Sequence, residues 1–478
     1  MEQGESGVET QALLLARVRD VVLRQSVLLS ESAELGEAAR AMRDNAVSCV
    51  LVGSEADPGI VTSTDLRDAL ALHGHHPHEP IGPLARRPIV AIDDGALLLD
   101  ALIEMERTRV KRLPVTRAGR IHAVLELGDL LSYFALHSNV ILRVAGDAPD
   151  ADALKPAFRS RVRMVSALQR IGMKPDRIGR LASEINRAIF HRVFDLVMPV
   201  DLRNDLCLIV MGSEGRAEQI LPTDQDNALI VRDGIDPASL MPACRAFSEA
   251  LAVIGYPPCA GNVMVSNPAW VLGESGFRNR IGHWIVNGSN DDVMNLAIFF
   301  DATAVAGDAT LLAQVKAVLF EVSSAGDTFF ARFASAINAF PVPINMFSRL
   351  QVERSGEQAG TLDIKKSGIF PIVQGIRSLA LQHRLTVTGT LDRIDALVHL
   401  GAFDKRFARE LGDAFGFLCT LRTQAGLAAF EAGQPATNRV RPADLSQIDQ
   451  EVLVESLRVV LKLRKLITQH YRLDMLGF

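Results

Sequence analysis

The sequence predicts a multidomain α/β chain: a duplicated unit, a mixed α/β centre and an all-helical tail. Three features point to that class. Two segments near the start resemble each other, a tight turn in the middle is bracketed by apolar runs, and the last third keeps helical periodicity. At 478 residues the chain is long enough for several buried cores. The expected boundaries are 1–24 for an N-terminal segment, 25–138 for the duplicated pair, 139–195 for a helical linker, 196–310 for the centre and 311–478 for the tail. Composition is that of an ordinary soluble protein, with 48% hydrophobic residues, 22% charged and a net charge of -5. No basic block marks a nucleic-acid surface, so no DNA partner is expected. The polar, acidic start "MEQGESGVET" matches neither a signal nor a transit peptide. No apolar run reaches the roughly 20 residues that span a bilayer. Cys49, Cys207, Cys244, Cys259 and Cys419 are scattered, and Cys49 and Cys207 lie in apolar runs as reduced core thiols do. A cytoplasmic, reducing location without a membrane partner is the expectation.

The duplication comes first. "SVLLSESAELGEAARAMRDNAVSCVLVGSEADPGIVTSTDLRDAL" is echoed by "PIVAIDDGALLLDALIEMERTRVKRLPVTRAGRIHAVLELGDLLSYF", with Met42 against Met105 and Val52 against Val115. Each copy reads as an extended stretch, a helix, two short strands and an acid-started helix. Neither copy can bury both faces of its sheet alone, so the two should pack together. The first copy carries "GIVTSTD". There a carboxylate can accept from two vicinal hydroxyls and a neighbouring hydroxyl can reach a phosphate. This pair resembles a tandem CBS module, and the resemblance implies an adenine nucleotide effector held through Thr62 and Asp65. It also implies a homodimer formed through the CBS modules. The second copy reads "AVLELGD", where Glu126 in place of the hydroxyl would repel phosphate. Asp65 and Asp129 also suit the plainer role of helix N-caps.

Between the copies, "LHGHHPHEP" puts four histidines from His73 to His78 in a loop marked by Gly74 and Pro77. A solvated loop outweighs a metal site there. Residues 139 to 195 turn helical and basic, with Pro156 expected at a helix start, Pro175 at an interruption and the arginines on a solvated face.

The centre holds the chemistry. "DLCLIVMG" is a buried strand, and Gly212-Ser213-Glu214-Gly215-Arg216 is a turn expected to lead into a short helix, "AEQIL", stopped by Pro222. "TDQDNALIVR" is the next strand. Its alternation puts Asp224 and Asp226 on one face, with Gln225 and Asn227 on the other. Two acids on one face repel unless a cation sits between them, and oxygen ligands of this kind suit Mg²⁺ carried with substrate phosphates. Glycine in the turn lets backbone N–H groups approach phosphate, Ser213 adds a hydroxyl and Arg216 adds charge.

Gly-Ser, a short spacer and Asp-x-Asp resemble the nucleotidyltransferase fold shared with DNA polymerase beta. "GSEGRAEQ...TDQDNA" and "CAGNVMVSNPAW" together resemble a bacterial family of CBS-linked nucleotidyltransferases of unassigned function. That family is similar to the uridylyltransferase of the PII signalling protein and the adenylyltransferase of glutamine synthetase. The resemblance implies a third carboxylate, and Asp301, read as ending the apolar strand "NLAIFFDATAVAGD", occupies the family position, with capping a helix as its plainer alternative. Asp224, Asp226 and Asp301 would then be the catalytic and metal-binding set, with Mg²⁺ or Mn²⁺ as cofactor and Asp301 as base. Gly212, Ser213, Arg216 and Lys365 would bind the nucleotide, Lys365 coming from "LDIKKSGIFPIV", which also holds Asp363 and Lys366 and reads equally well as a solvated loop. Trp270 and Trp284 read as core residues.

The tail, with segments such as "EVLVESLRVVLKLRKLITQHYRLDML", repeats apolar residues at helical spacing and is an amphipathic core helix pattern, not a membrane anchor. The expected reaction is Mg²⁺-dependent transfer of a nucleoside monophosphate from an NTP to a protein or small-molecule acceptor, of uridylyl or adenylyl type. A non-catalytic nucleotide sensor and a CBS-paired scaffold are the alternatives.

Overall fold

The computed structural model describes residues 17–475, apart from 22, 46, 55, 109, 131–144, 171, 222–223, 323–325, 346–348 and 357. The expected N-terminal segment up to residue 16, the stop at Pro222 and the end of the second repeat lie outside the described residues. The chain divides into two compact units, Met1–Val144 and Ala145–Phe478.

In the first unit the two copies share strands. Strand β1 (Arg24–Gln25) pairs antiparallel with β7 (Arg120–Glu126), in a sheet of order β1-β7-β6-β5 with β6 (Arg112–Arg117) and β5 (Ile92–Asp93). Strands β2 (Leu28–Leu29), β3 (Cys49–Gly53) and β4 (Pro58–Thr62) form the other sheet. Thus the strand just ahead of copy one belongs to the sheet of copy two. The internal equivalences hold in space: Met42 and Met105 are both buried, as are Val52 and Val115. Two of the loop histidines pair with glutamates, His75 Nδ1 to Glu79 at 2.7 Å and His78 Nδ1 to Glu34 at 3.0 Å. No metal-ligand group among the described residues includes them.

The second unit is built on a four-stranded sheet of order β10-β9-β8-β11. Strand β8 (Leu206–Val210) and β9 (Asn227–Val231) are antiparallel and wholly buried, so both faces of the sheet are covered. Strand β10 (Val271–Gly273) runs parallel to β9, and β11 (Thr303–Gly307) antiparallel to β8. One face packs on Trp270, Phe277, Trp284 and Phe299. Both tryptophans are core residues, their ring centroids 5.9 Å apart. The other face is covered by helices Ala151–Arg170, Pro175–Val197 and Met241–Ile254, joined by Phe158, Phe190 and Tyr256 in edge-on contacts.

The helices expected as a linker are therefore part of this unit's core. Pro156 lies inside the first of them instead of starting it, while Pro175 takes the first position of the second. Arg161, expected on a solvated face, is fully buried, and its guanidinium donates to the Gln219 carbonyl at 2.7 Å. The tail folds as helices Asp327–Ser335, Phe370–Gln382, Thr390–His399, Lys405–Glu431 and Gln447–His470 around one apolar core, with β12 (Leu362–Asp363) and β13 (Arg439–Val440) as a small ribbon. Among the described residues no helix is long and apolar enough to cross a membrane. Burial pushes the thiols of Cys49 and Cys207 up to about 11 and about 12, as inert core cysteines require.

Candidate active site

The Gly-Ser turn and the acid pair meet because β8 and β9 are neighbours. Val210 at the end of β8 faces Asn227 at the start of β9, and the Met211 amide donates to the Asp226 carbonyl at 2.9 Å. Gly212 then takes φ +56°, and a Cβ placed on it would stand 2.7 Å from Asp226 Oδ2. Only glycine leaves that carboxylate its room. The helical turn is Gly212–Gly215 itself. "AEQIL" is not helical, contrary to expectation, because Ala217 has φ +55° and ends the turn. Asp224 to Asp226 form the approach to β9, one step short of the strand. Their alternation survives, with Gln225 and Asn227 buried and both acids half-buried. Gln225 Nε2 donates to the Tyr256 carbonyl at 3.0 Å, and Val265 N donates to Asn227 Oδ1 at 2.9 Å. The inward residues lock the segment and turn the acids outward.

Asp224 and Asp226 fall in a group with Cys259 whose donor atoms all lie within 4.8 Å of one another. Burial and the charge of Asp224 push the Asp226 carboxyl up to about 6. The donor set suits a divalent cation, because two converging half-buried carboxylates without one repel each other. Lys365 opens the wide helical turn Lys365–Ile369 before Phe370 and lies within electrostatic reach of both acids. Burial, then the nearby Arg422, lowers its pKa. Arg422 itself, held by Asn438 Oδ1 at 2.7 Å, reaches Asp224 electrostatically. Lys366 instead sits over the Phe340 ring, and its amide donates to Asp363. Ser213 is half-buried within the turn.

Asp301 requires correction on two points. It ends the helix Asn290–Phe300, not a strand. Its carboxylate is fully buried and turned toward arginines: Arg216 Nη1 at 2.6 Å, Arg377 Nη2 at 2.5 Å and Arg393 Nη1 at 2.6 Å. It does not belong to the Asp224–Asp226–Cys259 group. Burial alone would favour the neutral acid, but the charges of Arg377, Arg393 and Arg216 hold its pKa well below the usual carboxylate range. A carboxylate so held is a poor proton acceptor and has no free lone pairs aimed at a metal. Arg216 is likewise committed, donating through Nε to Glu218 at 2.6 Å as well as to Asp301. Glu218 accepts in turn from the Thr390 amide at 2.7 Å. Asp301, Arg216 and Glu218 thus fasten the turn to the helical tail. Beneath the turn, buried Glu214 accepts from Asn186 at 2.7 Å, and Asn186 accepts from the Tyr256 hydroxyl at 2.6 Å.

In the first unit, Thr62 and Asp65 cap one helix reciprocally. Thr62 Oγ1 donates to Asp65 Oδ2 at 2.6 Å, Thr62 N donates to the same oxygen at 2.9 Å, and Asp65 N donates back at 3.3 Å. Arg86 pairs with the other Asp65 oxygen. The second copy repeats the arrangement with Arg24 on Asp129 at 3.1 Å. Glu126, however, is used between the copies: Ser48 donates to it through N at 3.0 Å and through Oγ at 2.6 Å.

Comparison with known proteins gives three matching family profiles. A CBS domain profile matches residues 18–72 and 81–136. One described as putative nucleotidyltransferase DUF294 matches residues 159–291, and a putative nucleotidyltransferase substrate binding domain matches residues 327–471. No curated protein matches the chain. Among solved structures, an uncharacterized conserved protein from Pyrococcus horikoshii is 21% identical, covering 25% of this chain and 92% of its own, with a TM-score of 0.24. A CBS-domain containing protein from Agrobacterium tumefaciens is 22% identical, covering 23% of this chain and 90% of its own, with a TM-score of 0.22.

Proposed function

Because the chain belongs to the CBS-linked putative nucleotidyltransferase family, we propose that it moves a nucleoside monophosphate from an NTP to an acceptor hydroxyl or amine, releasing pyrophosphate. One observation carries the proposal: Asp224 and Asp226 converge beside the Gly212 turn, with Lys365 from the tail in electrostatic reach. Both acids would hold a divalent cation, Mg²⁺ or Mn²⁺, which when bound offsets the charge that develops on the transferred phosphoryl group. Lys365 and Arg422 supply positive charge for the remaining phosphates, and the turn offers backbone N–H groups. Asp301 acts by holding Arg216 and the tail, not as ligand or base. The protein's contribution is positioning and neutralisation, which suits a loose phosphoryl transition state.

The CBS pair is assigned one adenine nucleotide, at Thr62 and Asp65, with Arg86 released from Asp65 toward phosphate. Homodimer formation through this pair and a protein or small-molecule acceptor belong to the same proposal. The position of Asp301 away from the acid pair also suits a sensor that binds metal–nucleotide without transfer. Incubating the full-length protein with lysate and α-labelled ATP or UTP decides between them. Transfer predicts α label on an acceptor and γ label leaving as pyrophosphate. Tight binding with no α label on any lysate component would sink the enzyme reading in favour of the sensor.

A further inference from the structure

Cys259 is the third donor in the group that holds Asp224 and Asp226. It follows Pro257 and Pro258 in a loop bound on both sides to the acid segment: Gln225 N donates to the Pro257 carbonyl at 3.1 Å, and Asn227 N to the Val263 carbonyl at 3.1 Å. The loop therefore runs alongside Asp226 like an added strand, and the thiol is carried to a fixed place. Its Sγ completes the group in which every donor atom lies within 4.8 Å of the others. Burial and the neighbouring Asp226 charge push the thiol up to about 11, while the amides of Val263 and Gly261 lie against the same sulfur and work the other way. N–H groups directed at a sulfur are what a metal-bound thiolate needs around it. The remaining cysteines have no such setting: Cys49, Cys207 and Cys244 are buried, and Cys419 lies near Glu218 and Arg422.

We propose that Cys259 is the third protein ligand of the cation held by Asp224 and Asp226, and that the site therefore prefers borderline-soft divalent ions to Mg²⁺. The inference rests on the metal reading of that acid pair. Mg²⁺ is bound by oxygen and gains little from sulfur. Zn²⁺ and Co²⁺ gain a strong bond from a thiolate, so an oxygen–oxygen–sulfur set tilts selection toward them. On binding, the thiol proton leaves to solvent as the sulfur takes the metal.

The test uses the full-length protein and Co²⁺ as probe, with Mg²⁺ for comparison. One equivalent of Co²⁺ should give a sulfur-to-cobalt charge-transfer absorption in the near ultraviolet. Cys259→Ser should abolish that band and weaken Co²⁺ binding about tenfold or more by calorimetry, leaving Mg²⁺ affinity within about twofold. Cys259→Ala serves as a second variant should the first not fold, and the wild-type band needs no variant at all. Co²⁺ bound at Asp224 and Asp226 without the band, or a band that survives in Cys259→Ser, overturns the role of Cys259 while leaving the acid pair as the metal site. Co²⁺ binding indifferent to Asp224→Asn and Asp226→Asn overturns the metal reading itself.

Discussion

Asp226 and Asp301 sit on either side of one short turn and have opposite surroundings. Asp226 has an acid for a neighbour and is half-buried, so its proton affinity rises to about 6. Asp301 is enclosed by three guanidiniums and stays ionised far into acid. The first stands beside a second anion; the second already has more than enough positive charge. A carboxylate's role follows from what surrounds it, so a third acid in the family position does not by itself make a third metal ligand.

The sharpest way to break the comparison is to neutralise each acid and measure α-label transfer. Asp224→Asn or Asp226→Asn should slow transfer by roughly 10³- to 10⁵-fold, each tenfold being about 1.4 kcal/mol of lost stabilisation. Should Asp301→Asn abolish divalent-metal binding as completely as those variants, the distinction between the acids collapses. Stability comes next. Asp301→Asn leaves three guanidiniums buried around a neutral amide and should cost about 3–5 kcal/mol in denaturant unfolding, with metal affinity unchanged in the protein that remains folded. Removing Asp226 should cost nothing.

The pH dependence sharpens this further. Asp226 binds its proton more tightly folded than unfolded, so its contribution favours the fold in acid and is lost as pH rises through about 6. In chelator, Asp226→Asn should therefore exceed the wild type by about 3 kcal/mol at neutral pH, with the gap closing below about pH 4. Asp301 has the opposite sign. Its contribution is present above the ordinary carboxylate range and lost only as pH falls through its depressed value, so it should be flat across that same window. Parallel unfolding curves for wild type and Asp226→Asn from pH 4 to 7 would falsify the raised affinity. The smallest effect expected concerns Asp65, an acid ion-paired with Arg86. Calorimetry with ATP or AMP on the full-length protein should find one site per chain in the CBS pair, weakened roughly ten- to a hundredfold by Asp65→Ala, or about 1.5–3 kcal/mol. Two equivalent sites there would show that Glu126 does not close the second copy.

Much of this could be read from residues alone, because the informative signals were local. The alternation across Asp224-Gln225-Asp226-Asn227 has a two-residue period, and it survives even though the strand begins only at Asn227. Met42 and Met105 were paired by the repeat. Failures came where distant partners decide. "NLAIFF" is apolar throughout, a pattern that a buried strand and a buried helix share, and helices Glu274–Asn287 and Asp327–Ser335 beside it settle the matter as helix. The environment of Asp301 comes from Arg377 and Arg393, far along the chain. Arg161 looked solvated because no sequence period reveals a carbonyl waiting at Gln219. Cys259 had a signal in "CAGNVMVSNPAW", but nothing in the spacing tied that stretch to the acids.

The Asp301 cluster also constrains how the protein is made. Its partners lie 76 and 92 residues further on. During synthesis the sheet strands, the Gly212 turn and Asp301 all leave the ribosome before Arg377 and Arg393 exist as residues. Until then a carboxylate destined for a water-free interior lacks two of its three arginine partners, so the interval is one in which chaperones and proteases compete for an unfinished core. A fragment ending near residue 310 would be frozen in that interval. The two regions matched by separate family profiles should therefore express well only as one polypeptide, or as two fragments produced together in the same cell.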